Sequence, residues 1–219
     1  RRSRSSCGVA RAGAGAKRRA EVGEARLAGR AAPRNLFAPS DQLLLHSRAP
    51  MTSNSTIDFL RRARNLREYS STPLPDDVLN DILDAARWTG SAMNRQPWQF
   101  VVVRDRAKLD QLANAGGYVK HLGSAAAAIV LAMDGAGHEF DEGRLSERIL
   151  LAAAAHGVAA GVAWFDEAGA SAAKQVLNIT PDHVARTVIA LGYPTQAAQK
   201  LRTKAGEARK ALNDVVKWE

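Results

Sequence analysis

From Met51 onward, short and almost continuously apolar runs alternate with longer amphipathic ones, and this alternation limits the possible folds more than any other feature of the sequence. Trp98 to Val103 is short, β-branched and aromatic, so it reads as a strand. Ala127 to Met133, Gly161 to Phe165 and Ala185 to Leu191 supply three more runs of the same kind. A strand that is apolar at successive positions has no face suited to water, so such strands imply a sheet covered by helices on both sides. The 169 residues from Met51 to Glu219 are enough to build that core.

The intervening segments carry helix signals. A helix over 56–64 opens at Ser55 or Thr56. Pro75, with its pre-set φ, precedes Asp76 and Asp77 at the positive end of a helix whose broad apolar face holds Val78, Leu79, Ile82, Leu83, Ala85 and Ala86 and which stops near Thr89-Gly90. Asp105 begins a helix through Leu109 and Leu112, ended by Gly116-Gly117. Asp141 to His156 forms another, with Leu145, Ile149, Ala152 and Ala153 inward, and 169–177 a short one. The small residues Ala152 to Ala155 suit either a core helix or close approach to a second chain. His156 reads as a helix-terminal cation or a satisfied polar group rather than a catalyst, and Trp88, Trp98 and Trp164 as core and wall residues. The final strand ends in Gly192-Tyr193-Pro194; a polar, basic stretch then precedes Leu212 to Trp218, a short apolar segment that must pack on the domain or on a neighbour.

The charge of +9 suggests a nucleic-acid or membrane-surface partner until it is divided along the chain. Residues 1–50 carry 11 Lys+Arg against 3 Asp+Glu, while residues 51–219 carry 20 against 19, so the core is near neutral and no nucleic-acid role is expected of it. The basic segment is rich in Arg, Ala, Gly, Ser and Pro without a sustained period and reads as disordered. Three origins fit it: upstream sequence with Met51 as the true initiator, an organelle-targeting peptide, or a basic arm. Its longest strongly apolar run, Leu43 to Leu45, is too short for a secretory signal or a membrane span, so a cytoplasmic protein is expected. A lone Cys7 cannot form an intramolecular disulfide, and no Cys/His spacing suggests a metal site.

The chain has no Gly-x-Ser-x-Gly elbow, P-loop, Gly-x-Gly-x-x-Gly fingerprint or His-x-x-x-His pair, which argues against hydrolase, kinase and metalloenzyme chemistry. Two segments remain. Arg64-Asn65-Leu66-Arg67 sets two arginines three apart at a helix end, where they could share one anionic group or simply form a solvated face. Thr89 to Trp98 places Ser91, Asn94 and Gln96 in a helix-to-strand loop, where the amides could meet the polar edge of a heterocycle or merely complete a connection.

In combination these segments resemble the flavin-dependent nitroreductase family. The resemblance rests on R-N-L-R-E-Y from Arg64, then P-L-P-D-D-V-L-N-D-I-L-D-A-A-R-W-T-G-S-A-M-N-R-Q-P-W-Q-F-V-V-V, then G-V-A-A-G-V-A-W-F and I-A-L-G-Y-P, in that order over residues 57–218. It implies an α+β, nitroreductase-like three-layer sandwich with a central mixed sheet covered by helices. It also implies a homodimer with tightly bound FMN at the interface, and domains divided as a 1–50 tail and a 51–219 FMN-binding unit with a C-terminal extension over 195–219.

By the same resemblance Arg64, Asn65 and Arg67 would hold the phosphate and ribityl chain, and Ser91, Asn94 and Gln96 the ring or ribityl polar atoms. Arg209 and Lys210 would add cations to the phosphate, and the backbone from Gly161 and Val162 to Trp164 would pass close to the flavin. Two departures stand out: Ala63 occupies a position where the family often has arginine, and Ala211 one where proline is common. The activity implied is alternating reduction of the flavin by NADH or NADPH and of a nitroaromatic or quinone-like acceptor by the flavin, with no side chain nominated as catalyst and no metal. A flavin-dependent dehydrogenase or tailoring enzyme, or a flavin-binding protein without turnover, are the alternatives.

Overall fold

The computed structural model describes residues 55–204 and 209–219. The basic segment 1–50 and the proposed start at Met51 lie outside them. Among the described residues six α-helices and four strands follow in order, besides short 3-10 turns: α1 (Ser55–Arg62), α2 (Asp76–Arg87), β1 (Trp98–Val103), α3 (Arg106–Ala113), β2 (Ala127–Met133), α4 (Glu139–Ala155), β3 (Ala159–Trp164), α5 (Glu167–Leu177), β4 (Thr187–Gly192) and α6 (Gln196–Lys204). Local chemistry sets several boundaries. Pro75 is extended and leads directly into α2 with Asp76 and Asp77 in its first turn. Asp105 accepts the Lys108 N–H at the start of α3, and Asp166 accepts the Gly169 N–H at the start of α5. Asn178 closes α5 in the left-handed conformation, φ 54°.

The strands form one sheet in the order β1-β2-β4-β3. Every neighbouring pair is antiparallel. Because β2 and β3 both run antiparallel to β4, they are parallel to each other, and β4 is inserted between the two arms of the β2-α4-β3 crossover. The mixed sheet expected from the resemblance is thus antiparallel in its strand pairs, and the parallel pairing is an isolated bridge between Asn65 and Ala160 at the β3 edge. Apolar runs require cover on both faces; they do not set strand direction, which the connections decide.

All of β2 is buried, and its side chains divide by parity. Ala128 and Val130, with Val188 and Ala190 of β4, face a core built with Leu109, Leu112, Val119, Leu122, Phe165 and Ala173. Ile129, Leu131 and Met133, with Ile189 and Leu191, face a second core built with Leu79, Ile82, Ala86, Leu145, Ile149 and Ala153. The result is a three-layer α+β sandwich, with α3 and α5 on one face and α2 and α4 on the other.

Several expectations change at the edges. Trp88 and Trp164 are not core residues: they are 67% and 48% exposed, Trp88 because it caps α2 after the last inward turn and Trp164 because it ends an edge strand. Trp98 does pack against the α2/α4 core. His156 caps α4 and faces Asp81 at 3.5 Å. The C-terminal apolar segment does not fold back onto the domain, since Leu212, Val215 and Trp218 all stay exposed.

Candidate functional site

The helix expected over 56–64 ends at Arg62, and the following residues run beside β3. Leu66 N–H donates to Ala160 O at 2.9 Å. Val162 is clasped by side chains on both backbone groups: its N–H donates to Asn65 Oδ1 at 2.9 Å, and its carbonyl accepts from Arg67 Nη2 at 2.8 Å. These bonds satisfy an edge that would otherwise be open. Gly161 makes the approach possible, because a Cβ there would lie 2.6 Å from Tyr69 Oη and 2.9 Å from Leu66 O. The Tyr69 hydroxyl donates to Leu66 O at 2.9 Å, and burial raises its pKa well above the usual phenol range, with Arg67 opposing.

This geometry separates the two arginines of the motif. Residues three apart are neighbours on a helix, but in a strand-like stretch they point to opposite sides. Arg67 lies over the ring of Tyr118, with Cζ 5.3 Å from its centroid, and Tyr118 stacks on Trp164 at 5.3 Å. Nearby His121 has its pKa lowered by burial and then by Arg67, while the Gly161 backbone opposes the shift. Arg64 instead faces a cavity of about 1200 Å³.

The cavity is formed by the end of α1, residues 63–65, Glu147 and Leu150 of α4, Gln199 of α6, and Arg209. Arg61, Arg62, Arg64 and Arg209 face a single Glu147, so its wall is strongly cationic. Arg64 Nη1 donates to Ala63 O at 2.7 Å and also to Arg61 O, but its Nε–H is buried without a partner. An anion with several acceptor oxygens would match this donor set. Arg61, Arg62, Glu147 and Gln199 were not anticipated from the motif. The uncharged Ala63 beside the Arg61-Arg62 pair was the available signal that the cations are displaced by one or two positions. Lys210 is exposed and does not line the cavity.

The amide loop is built differently. Gln96 N–H donates to Ser91 Oγ at 2.8 Å, and Gln96 Nε2 donates to Asn94 O at 3.3 Å, so Ser91 and Gln96 bond within the loop. Met93, Asn94 and Gln96 all have left-handed φ, 53°, 54° and 50°, a costly conformation for residues with a Cβ. None of Ser91, Asn94 and Gln96 lines the arginine cavity. The structure therefore brings together Arg64, Asn65 and Arg209, holds Asn65 and Arg67 on Val162 beside Gly161, and leaves the amide loop and Lys210 apart.

Comparison with known proteins gives the chain a family. Residues 60–133 match the model of the nitroreductase family. A protein of Archaeoglobus fulgidus named for NADH dehydrogenase and NAD(P)H nitroreductase activity is 35% identical over 142 residues, 60% of this chain and 80% of the relative. The chain belongs to the nitroreductase family. A similarly named protein of Methanothermobacter thermautotrophicus is 28% identical over 166 residues, covering 71% of this nitroreductase-family chain and 85% of the relative. Among solved structures, one of the same name from Bacteroides thetaiotaomicron superposes with TM-score 0.61 at 29% identity, over 66% of this chain and 89% of that one. A Desulfovibrio desulfuricans nitroreductase solved with FMN gives TM-score 0.63 at 24% identity, over 77% and 98%, and shares the fold. The nitroreductase-family chain is thus an oxidoreductase by family, on the α+β fold described above.

Proposed function

We propose that this protein is an FMN-dependent oxidoreductase that uses NADH or NADPH to reduce flat, electron-poor acceptors such as nitroaromatics or quinones by a ping-pong mechanism. The observation that carries the reading is the arginine-walled cavity beside Asn65, with its buried and unpartnered Arg64 Nε–H, in a chain of this family. A phosphate monoester, close to doubly charged at neutral pH, fits four guanidinium groups, one of which carries the orphan donor. Arg64 and Arg209 would hold that phosphate, with Arg61 and Arg62 supplying the charge that Ala63 lacks. Asn65, whose amide N–H groups remain able to donate, would meet the ribityl hydroxyls. Arg67, Gly161 and Val162 would border the ring, with Ser91, Asn94, Gln96 and Lys210 as further contacts.

FMN held by these residues would supply the two-electron redox chemistry between the nicotinamide and the acceptor. The chain's own residues bind and orient, and no side chain is assigned a proton transfer. A homodimer completes the proposal. The amide loop lies off the arginine cavity and Leu212, Val215 and Trp218 are exposed, so a second copy would cover the apolar segment and bring its own loop to the cofactor. Met51 to Glu219, including the 195–219 extension, is the functional unit on this reading. Cytoplasmic NADH and NADPH would make it a cytoplasmic enzyme.

The test is the absorption spectrum of the purified protein, followed by NADH and NADPH oxidation with a quinone or nitroaromatic acceptor. A flavin spectrum and acceptor-dependent oxidation above that of free FMN are expected. Colourless protein that takes up no added FMN would overturn the proposal, and bound flavin without turnover would leave a flavin carrier instead.

A further inference from the structure

A second, smaller cavity of about 270 Å³ opens between the first turns of α4 and the end of the β3 edge, and the arginine site does not use it. Glu139, Glu142 and Ser146 line it from α4, Trp164 from β3, and Arg186 and Thr187 from the start of β4. Glu142 is only 9% exposed, and its Oε1 is buried with no hydrogen-bond partner. Its place in the first turn of α4 is favourable for a carboxylate but supplies no hydrogen bond to that oxygen. A buried carboxylate oxygen left unpaired is costly, so a donor is missing from the single chain. Two carboxylates against one guanidinium leave the lining net negative, while Arg186 and Thr187 add donors on the opposite wall. Val162 joins the two regions, since it lines this cavity while its N–H is held by Asn65 of the arginine cavity.

We propose that this cavity is a substrate subsite for an N–H-donating end group, an amidine, ammonium or primary amide, and that Glu142 selects for it and against carboxylates. The word substrate rests on the function proposed above; the binding preference does not. It follows that acceptors bearing an amine or amide should be reduced with higher kcat/KM than matched nitrobenzoates.

The experiment titrates benzamidine, benzamide and benzoate into the full-length protein, with and without FMN, by calorimetry, and reads flavin content from absorbance in the same samples. Saturable binding in the order benzamidine, benzamide, benzoate is expected, with benzoate at least tenfold weaker than benzamidine. Glu142→Gln should weaken benzamidine about tenfold, the order of one charge-assisted hydrogen bond. Gly143→Leu is a second variant, because a Cβ at Gly143 meets no atom within 4 Å and the larger side chain can narrow the mouth without disturbing the core; it should also weaken benzamidine. Equal binding of benzoate, no binding of any probe, or benzamidine affinity unchanged in both folded variants would overturn the inference. Displacement of benzamidine by FMN would give the cavity to the cofactor and overturn it as well. Failure of flavin retention with the probe preference intact would strike the proposed function alone.

Discussion

The Arg64–Tyr69 stretch and the Ser91–Gln96 loop both carry candidate cofactor residues, yet they are built in opposite ways. The first is held to the sheet: Asn65 and Arg67 grip the two backbone groups of Val162, Leu66 bonds to Ala160, and Tyr69 is buried beneath them. The second bonds mainly to itself, exposes Met93 at 78%, and places three residues with a Cβ in the left-handed region. An anchored strand-like segment can present charge without reorganising. A strained exposed loop has no such anchor and can reorganise at lower cost.

Replacing both Arg64 and Arg209 by alanine should have the largest effect on this contrast. Two charged hydrogen-bonding groups are worth roughly 1.5–3 kcal/mol each, so flavin retention, followed by fluorescence of released FMN, should fall by at least two orders of magnitude. Equal retention would locate the phosphate elsewhere. Gly161→Ala attacks the anchor itself. Its Cβ would press on the backbone oxygen of Leu66 at 2.9 Å, and overpacking of this kind costs about 1–3 kcal/mol, readable as a lowered denaturation midpoint. Asn65→Ala should destabilise by about 0.5–1.5 kcal/mol, because the exposed Val162 N–H exchanges its acceptor for water. A stability unchanged by that substitution would show that the clasp is dispensable.

His121 offers a pH test of the same region. Its pKa is lowered in the folded protein, so folding disfavours its proton. The sign follows: no penalty exists above the ordinary value of 6.5, and stability is lost as pH falls from there through the lower folded value. His121→Gln should flatten that acidic slope in a series of thermal melts. The smallest effect belongs to the loop. Met93→Gly removes the left-handed penalty at an exposed position and should raise stability by up to about 1 kcal/mol; a loss would mean that the Met93 side chain has a partner in solution.

Much of the fold was legible in the sequence because it depends on local pattern. All four apolar runs become strands, two with the expected bounds and two, β3 and β4, displaced by one or two residues; the Pro75-Asp76-Asp77 start and the Asp105 cap appear where expected, and the alternating burial of β2 follows from a period of two. Of the residues that line the candidate cavity, the sequence pointed to Arg64, Asn65 and Arg209 but not to their arrangement. Arg64 and Arg209 do meet at one cavity, but the three-residue spacing of Arg64 and Arg67 took a helical meaning, and the chain had already left α1 at Arg62. Arg61 and Arg62 carried no motif of their own. The importance of Glu142 could not be read at all, because an acidic residue in a first helical turn is ordinary until its burial is known.

The sequence by itself determined the alternation of strands and helices, the two-sided cover of the sheet, the near-neutral core and the family resemblance, since each depends on periodicity, composition or a contiguous motif. Only the tertiary structure decided that the sheet is antiparallel, that Arg67 turns to Val162 and Tyr118 while Arg64 turns to the cavity, and that one Glu142 oxygen is buried without a partner. Those outcomes depend on which distant segments share an edge, and burial and hydrogen-bond pairing are properties of neighbours in space rather than along the chain.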